Sequence, residues 1–369
     1  MTHHIRRPSP LLALAAGLGA AAGLLAVSAP AGASTPSVYH QVNLVSDVPG
    51  MARTTDPHLV NAWGASYLGT SPLWVSDNAT GVTTLYSGGV DGSPQTTVPL
   101  VVTIPGGAPT GQVSNPTTSF VVRDAAGHAA PARFLFVGET GHLSGWNPAV
   151  AATGAPPSTH AVDAVVTPGA VDKGLAMGQT PRGPRLYVAD FSAGVVDVYD
   201  GAFQRVVSRA GFTDARLPRG FAPFNVMVSG DRVYVAYAKQ DSARHDEVAG
   251  SGLGRVDVFS LDGRLLRRAS DHAVLDAPWG LTIAPSGFGR FSGDLLVGNF
   301  GDGRIHALDP RTLDLVGTLR GPGGRAVKID GLWALLPGNG TEGSTHDVVF
   351  TAGPQDESHG LLGLLHAGS

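Results

Sequence analysis

Apolar runs along the chain repeat one pattern six times. An apolar strand ends in a small or polar residue and a Gly-rich turn, and a second strand follows. The six stretches cover residues 73–87, 134–146, 185–200, 232–260, 294–309 and 348–365. A unit recurring about every fifty residues cannot bury both faces alone and must pack on its copies. The pattern predicts an all-β fold, a six-bladed β-propeller.

Each repeat is expected to open with an inner strand near Asn61, Asn115, Lys173, Asn225, Pro278 and Asp330, rich in Gly where neighbouring blades crowd together. Nearly continuous apolar runs follow at 73–76, 134–138, 186–189, 232–236, 294–298 and 347–352, as expected of strands packed on both faces. Third strands alternate, as in Val195-Val196-Asp197-Val198-Tyr199. An orphan strand at 38–45 precedes the first repeat, and 360–365 ends the last. An N-terminal strand completing the last blade would remove both open edges, giving one propeller domain over 38–366. Two insertions break the regularity: a polar loop at 239–252, and a Pro- and Gly-rich connection at 90–112. Long polar loops on a rigid scaffold are common places for function, or plain solvated excursions.

Composition sharpens this picture. Gly (51) and Pro (27) together fill about a fifth of the 369 residues, marking many turns between short strands. The net charge is −4 with no basic stripe, which argues against nucleic acid as a partner. With no cysteine, thiol catalysis, zinc fingers and iron–sulfur clusters are excluded. Arg6 and Arg7 precede an apolar run from Leu11 to Val27, and Ala31 and Ala33 follow with the spacing of a cleavage site. Residues 1–33 therefore read as a secretory signal peptide, and the mature protein is expected to be secreted and extracellular, without membrane attachment once the signal is cleaved.

Several segments carry a family resemblance: residues 56–64, 74–78, 237–241, 277–281, 292–303 and 350–354. Through them the chain resembles a family of exported, functionally uncharacterised β-propeller proteins, some bearing a C-terminal PEP-CTERM sorting tail. His58 stands where that family would have Asn, and no sorting tail follows Leu365. The resemblance implies an exported propeller without the sorting step and supplies no catalytic residues. Each repeat is also distantly similar to the NHL propeller repeat, a likeness of fold alone.

Aligned repeats place Asp77, Glu139, Asp190, Tyr237, Asn299 and Gly353 at the ends of the middle strands. Rings of equivalent positions converge on a channel mouth, where Glu139, Asp190, Asn115 and Asn225 would offer hard oxygens to Ca²⁺. A metal-dependent lactonase of the gluconolactonase type is built in this way, with the ion polarising a lactone carbonyl. The same residue types also cap turns. Asp241, His245, Asp246 and Glu247 form a second cluster, able to hold a cation or simply solvated. Asp77, Asn78, Tyr237, Lys239, Asp241 and Asn299 are candidate ligand-binding residues. Trp63, Trp279 and Trp333 read as core between blades; Trp74 and Trp146 as core or as platforms for sugars. Asp356-Glu357-Ser358-His359 lacks the geometry of a serine triad. Two functions follow: an exported binding propeller for a peptide, glycan or small molecule, without catalytic residues, or a Ca²⁺-dependent hydrolase of the lactonase type.

Overall fold

The computed structural model describes residues 37–207, 211–269 and 273–368; the signal peptide expected at 1–33 lies outside them. Six sheets, antiparallel apart from the short Thr54–Thr55 edge of the last, form the blades, and a two-stranded ribbon, Val121–Arg123 with Ala129–Pro131, stands apart from them. The inner strands of the blades are Ala62–Ser66, Pro109–Ser114, Asp172–Thr180, Phe221–Ser229, Pro278–Ile283 and Leu332–Pro337. Each touches the next and the last touches the first, so the ring closes. The second strands are Leu73–Asp77, Phe134–Gly138, Gly183–Asp190, Arg232–Gln240, Leu295–Asn299 and Val348–Ala352. Each cluster of buried side chains between adjacent blades draws on two of them.

Closure is as the pattern predicts. Val38–Ser46 pairs antiparallel with Leu361–Gly368 as the fourth strand of the sixth blade. Tyr39 and Leu44 are buried there, so the first strand is bound by packing as well as by its ladder. The third blade has three strands among the described residues, and Val206 N–H donates to Val198 O where a fourth would run.

Glycines allow the inner strands to approach. A Cβ on Gly64 would strike the backbone of Thr110 in the next blade, one on Gly111 the backbone of Leu175, and one on Gly174 the side chain of Asn225. Trp63, Phe224, Trp279 and Trp333 fill the axis itself. Trp63 stacks on Trp333 with ring centroids 3.5 Å apart, and Trp279 meets both edge-on at 5.9 and 5.8 Å. The expected core between blades is thus a plug across the channel, because these rings point inward from facing strands. Trp74 and Trp146 are buried against Phe134 and Phe136, so they are core and not exposed platforms.

Two sequence expectations are corrected. The second blade's inner strand is Pro109–Ser114, and Asn115 lies just beyond its far end. Its Pro and Gly had the look of a linker, although Gly111 is the close-approach glycine of that blade. For the same reason the connection at 90–112 is not one loop: it holds the β-branched strand Thr96–Thr103 as well as most of Pro109–Ser114.

Candidate functional site

In four inner strands the residue before a close-packed glycine is Trp63, Thr110, Lys173 or Trp279; Phe224 and Trp333 take that place in the other two. Lys173 is the one charge in this ring. Its side chain is 1 % exposed, and its Nζ sits 5.0 Å from the centroid of Trp63 and 6.0 Å from that of Phe191. The ammonium therefore rests on the aromatic plug at the mouth where the inner strands begin.

Carboxylates from three other blades surround it. Lys173 Nζ donates to Glu139 Oε1 at 2.5 Å and lies 3.6 Å from Asp246 Oδ1. Burial alone would lower the Lys173 pKa; Glu139, Glu247 and Asp246 more than reverse this and hold it above its ordinary value. Burial pushes Glu247 up to about 7 against the pull of Lys173. It raises Glu357 too, against the Asn61 hydrogen bond and the Lys173 charge. One ammonium thus faces four carboxylates.

Two amides tie the cluster to the scaffold. Asn61 Nδ2 donates to Glu357 Oε2 at 2.6 Å and to Asn78 Oδ1 at 3.3 Å, while its Oδ1 accepts from Trp333 Nε1 at 3.0 Å. Its φ of 51° lies in the left-handed region, which Asn tolerates better than most residues. Asn78 Nδ2 donates to Glu139 Oε2 at 3.0 Å. The loop of the fourth blade covers one side. Within it Glu247–Val248 pairs back on Lys239–Gln240, carrying Asp246 and His245 over the mouth. Ligand atoms of Glu139, His245 and Asp246 lie within 4.8 Å of one another.

The structure thus joins the fourth-blade cluster to Glu139 and Asn78. The other candidate residues lie elsewhere. Asn115 is at the opposite end of its strand pair from Glu139, since Ser114 pairs with Phe134 and Pro109 with Gly138; six residues of strand separate them by ~20 Å. Its amide caps a turn, accepting from Thr117 N–H at 2.9 Å and donating to Ser119 O and Ala132 O. Asp190 caps another turn, accepting from Ser192 Oγ at 2.9 Å and Ala193 N–H at 3.0 Å. Asn225 donates to Trp279 O at 2.7 Å across the channel. It lines a funnel of about 400 Å³ with Met177, Met227 and Leu281. Asn115, Asp190 and Asn225 thus make hydrogen bonds within the scaffold.

Asp77 is fully buried and accepts from Thr84 at 2.8 Å; desolvation pushes its carboxyl well above the usual range. Tyr237 is buried beside Asp257 and Asp214, its phenol likewise raised by desolvation. Lys239 donates to Arg219 O at 3.1 Å, and Asp241 accepts from His245 N–H at 2.9 Å within its own loop. Asn299 bonds Val274 O and Asp302 at a turn. In the 356–359 stretch Glu357 reaches the mouth, whereas Ser358 bonds Gln355 O and His359 Nδ1 lies 2.8 Å from Asp47 Oδ2.

Sequence reasoning missed Lys173 and Glu357 as members of the site. The signal for Lys173 was a charge where the equivalent strands carry an aromatic residue or Thr. Glu357 had none, because its turn has no counterpart in the other repeats.

No family model matches the sequence. Among solved structures, a streptogramin B lyase is similar over 90 % of this chain and 98 % of its own at 9 % identity and a TM-score of 0.43. A chain of a nidogen/laminin complex is similar over 75 % and 84 % at 13 % identity and a TM-score of 0.44. In Acanthamoeba polyphaga mimivirus, uncharacterized protein L690 is 35 % identical over 49 % of this chain and 48 % of its own length. Uncharacterized protein R648 of the same virus is 30 % identical over 334 residues, 87 % of this chain and 78 % of its own. The chain belongs to the family of β-propeller proteins that includes R648.

Proposed function

We propose that the chain is a ligand-binding propeller whose acid-rich mouth receives a cationic group, such as the primary ammonium of a small molecule or peptide. The observation that carries this reading is Lys173 held among four acids, Glu139, Asp246, Glu247 and Glu357: Glu247 and Glu357, raised by burial, give up their protons more readily beside a second positive charge. Asn61 and Asn78 keep Glu139 and Glu357 oriented in the absence of a ligand, which lowers the ordering cost of binding. The reading includes export by the leader at 1–33, which would place the mouth outside the cell.

The second reading, a Ca²⁺-dependent hydrolase of the lactonase type, is favoured by the close approach of Glu139, His245 and Asp246. Calcium takes six to eight oxygens at ~2.3–2.6 Å. Both Glu139 oxygens already accept hydrogen bonds, from Lys173 and Asn78, and Asn61 Oδ1 accepts from Trp333. A divalent ion ~4 Å from the Lys173 ammonium would be repelled by roughly 8 kcal/mol at an effective dielectric of ~20, as much as one carboxylate at that distance would attract it. An organic ammonium at the same distance is repelled half as much, by roughly 4 kcal/mol, and needs only the remaining lone pairs.

Calorimetric titration separates the two. n-Hexylamine is expected to bind saturably at a single site, and CaCl₂ to give no saturable heat. Stoichiometric Ca²⁺ binding that raises the melting temperature, with no response to the amine, would overturn the assignment.

A further inference from the structure

The channel has a second end. The acidic mouth lies where the inner strands begin, and later residues of all six strands enclose the funnel of about 400 Å³ on the other side of the aromatic plug. Trp279 belongs to the plug and also lines the funnel, so the plug is its floor. From Gly111 to Ser114, both in its wall, the strand advances ~10 Å at ~3.3 Å per residue.

These walls carry no charge. Leu175, Met177, Met227, Leu281, Leu335 and Leu336 stand in them, and no described residue that lines the funnel is Asp, Glu, Lys, Arg or His. The amides are engaged by the scaffold. Gln112 Nε2 donates to Gly64 O and Trp74 O, and Asn225 donates to Trp279 O and accepts from Val226 N–H. The indole N–H of Trp279 is likewise taken, by Lys173 O at 3.1 Å.

Tyr67 is different. It is half-buried in the funnel wall, and its hydroxyl has no hydrogen-bond partner among the described residues. Burial raises its pKa with nothing to offset it, so the phenol stays a protonated donor at neutral pH. Each inner strand also ends its sheet and pairs on one edge alone, so the N–H and C=O groups of its other edge face the axis. A charged ligand would lose its hydration here with no opposite charge to replace it. A pure hydrocarbon would cut the Tyr67 hydroxyl off from water and give it no acceptor. Apolar walls with a few directed polar groups, at this volume, are the usual form of a small-molecule site.

We infer that the funnel is a second ligand site, separate from the mouth, for a neutral aliphatic molecule with one hydroxyl. The ligand oxygen accepts from Tyr67, which follows the end of its inner strand, and the hydrocarbon chain runs down between Met177 and Met227 to Trp279. The hydroxyl proton goes to a backbone carbonyl of a free strand edge. This site stands independently of the cation-binding reading of the mouth.

Calorimetry on the purified chain tests it with 1-octanol and octanoate, which share a chain length and differ in charge at neutral pH. 1-Octanol should bind saturably at one site, and octanoate about tenfold more weakly or less. Tyr67→Phe should weaken 1-octanol binding about three- to tenfold, the range for one lost neutral hydrogen bond. Met227→Trp, which fills the funnel, should abolish it, and Glu357→Gln in the mouth should leave it unchanged. If Met227→Trp misfolds, Tyr67→Phe still carries the test. No saturable binding of 1-octanol, equal affinity for octanoate, undiminished affinity in Tyr67→Phe, or a loss in Glu357→Gln overturns the inference. Binding of n-hexylamine at the mouth is read separately, so failure of one site is distinguishable from failure of the other.

Discussion

Lys173 Nζ lies 2.5 Å from Glu139 Oε1, an ion pair between the third and second blades at the mouth above the aromatic plug. Removing one partner of a largely buried pair leaves the other charges uncompensated, and the cost reaches several kcal/mol. Lys173→Met is expected to destabilise the protein by about 2–4 kcal/mol in urea unfolding. Because the orphaned carboxylates repel only when ionised, the loss should be larger at pH 8 than at pH 5. Equal losses at both pH values would place the effect in packing on Trp63.

The plug and the site are coupled through Asn61, which accepts from Trp333 Nε1 and donates to Glu357. Trp333→Ala should cost about 3–5 kcal/mol, the usual range for a large aromatic lost from a core. Trp333→Phe keeps much of the packing but leaves Asn61 Oδ1 without its donor, for about 1–2 kcal/mol. The Phe variant should also weaken binding of n-hexylamine; unchanged affinity would show that Asn61 holds Glu357 without help from the plug.

Glu342 makes stability depend on pH. It is fully buried, its carboxylate accepts from Gln95 Nε2 at 2.9 and 3.1 Å, and desolvation pushes its pKa up to about 8. The raised value means that the folded state keeps a proton which the unfolded chain releases near the ordinary value of 4.5. Stability from this group is therefore full below pH ~4.5, falls across the window up to pH 8, and is gone above it. Glu342→Gln should flatten the slope of unfolding free energy against pH in that window by up to about 1.4 kcal/mol per pH unit. Identical slopes in the two proteins would contradict the assignment.

Deleting the strand Val38–Ser46 should abolish cooperative folding, because it exposes the edge of Leu361–Gly368 and removes Tyr39 and Leu44 from the clusters they form with Val348, Val349 and Phe350. Circular dichroism during heating checks this. A sharp transition in the truncated chain would show that the ring closes without its clasp.

Much of the scaffold was legible in sequence because second strands such as 134–138 and 295–299 are apolar on both faces, and ring closure required some strand to pair with Leu361–Gly368. The inner strand of the second blade was not, because Pro109 and Gly111 have the composition of a turn although their strand belongs to the axial ring. The site was legible only in pieces. Asn61 and Glu357 are 296 residues apart, and Asn78 and Glu139 are 61 apart. Only ring closure brings the first pair together. Asp246 reaches Lys173 through a loop with no counterpart in the other repeats, and periodicity carries no information about such a loop.

A structure of the protein crystallised with n-hexylamine tests the central claim most directly. The account predicts the ligand nitrogen within ~3 Å of a Glu357 or Asp246 oxygen, with Lys173 still bonded to Glu139. Amine bound elsewhere with the mouth unchanged, or an ion coordinated by Glu139, His245 and Asp246 in its place, would contradict it.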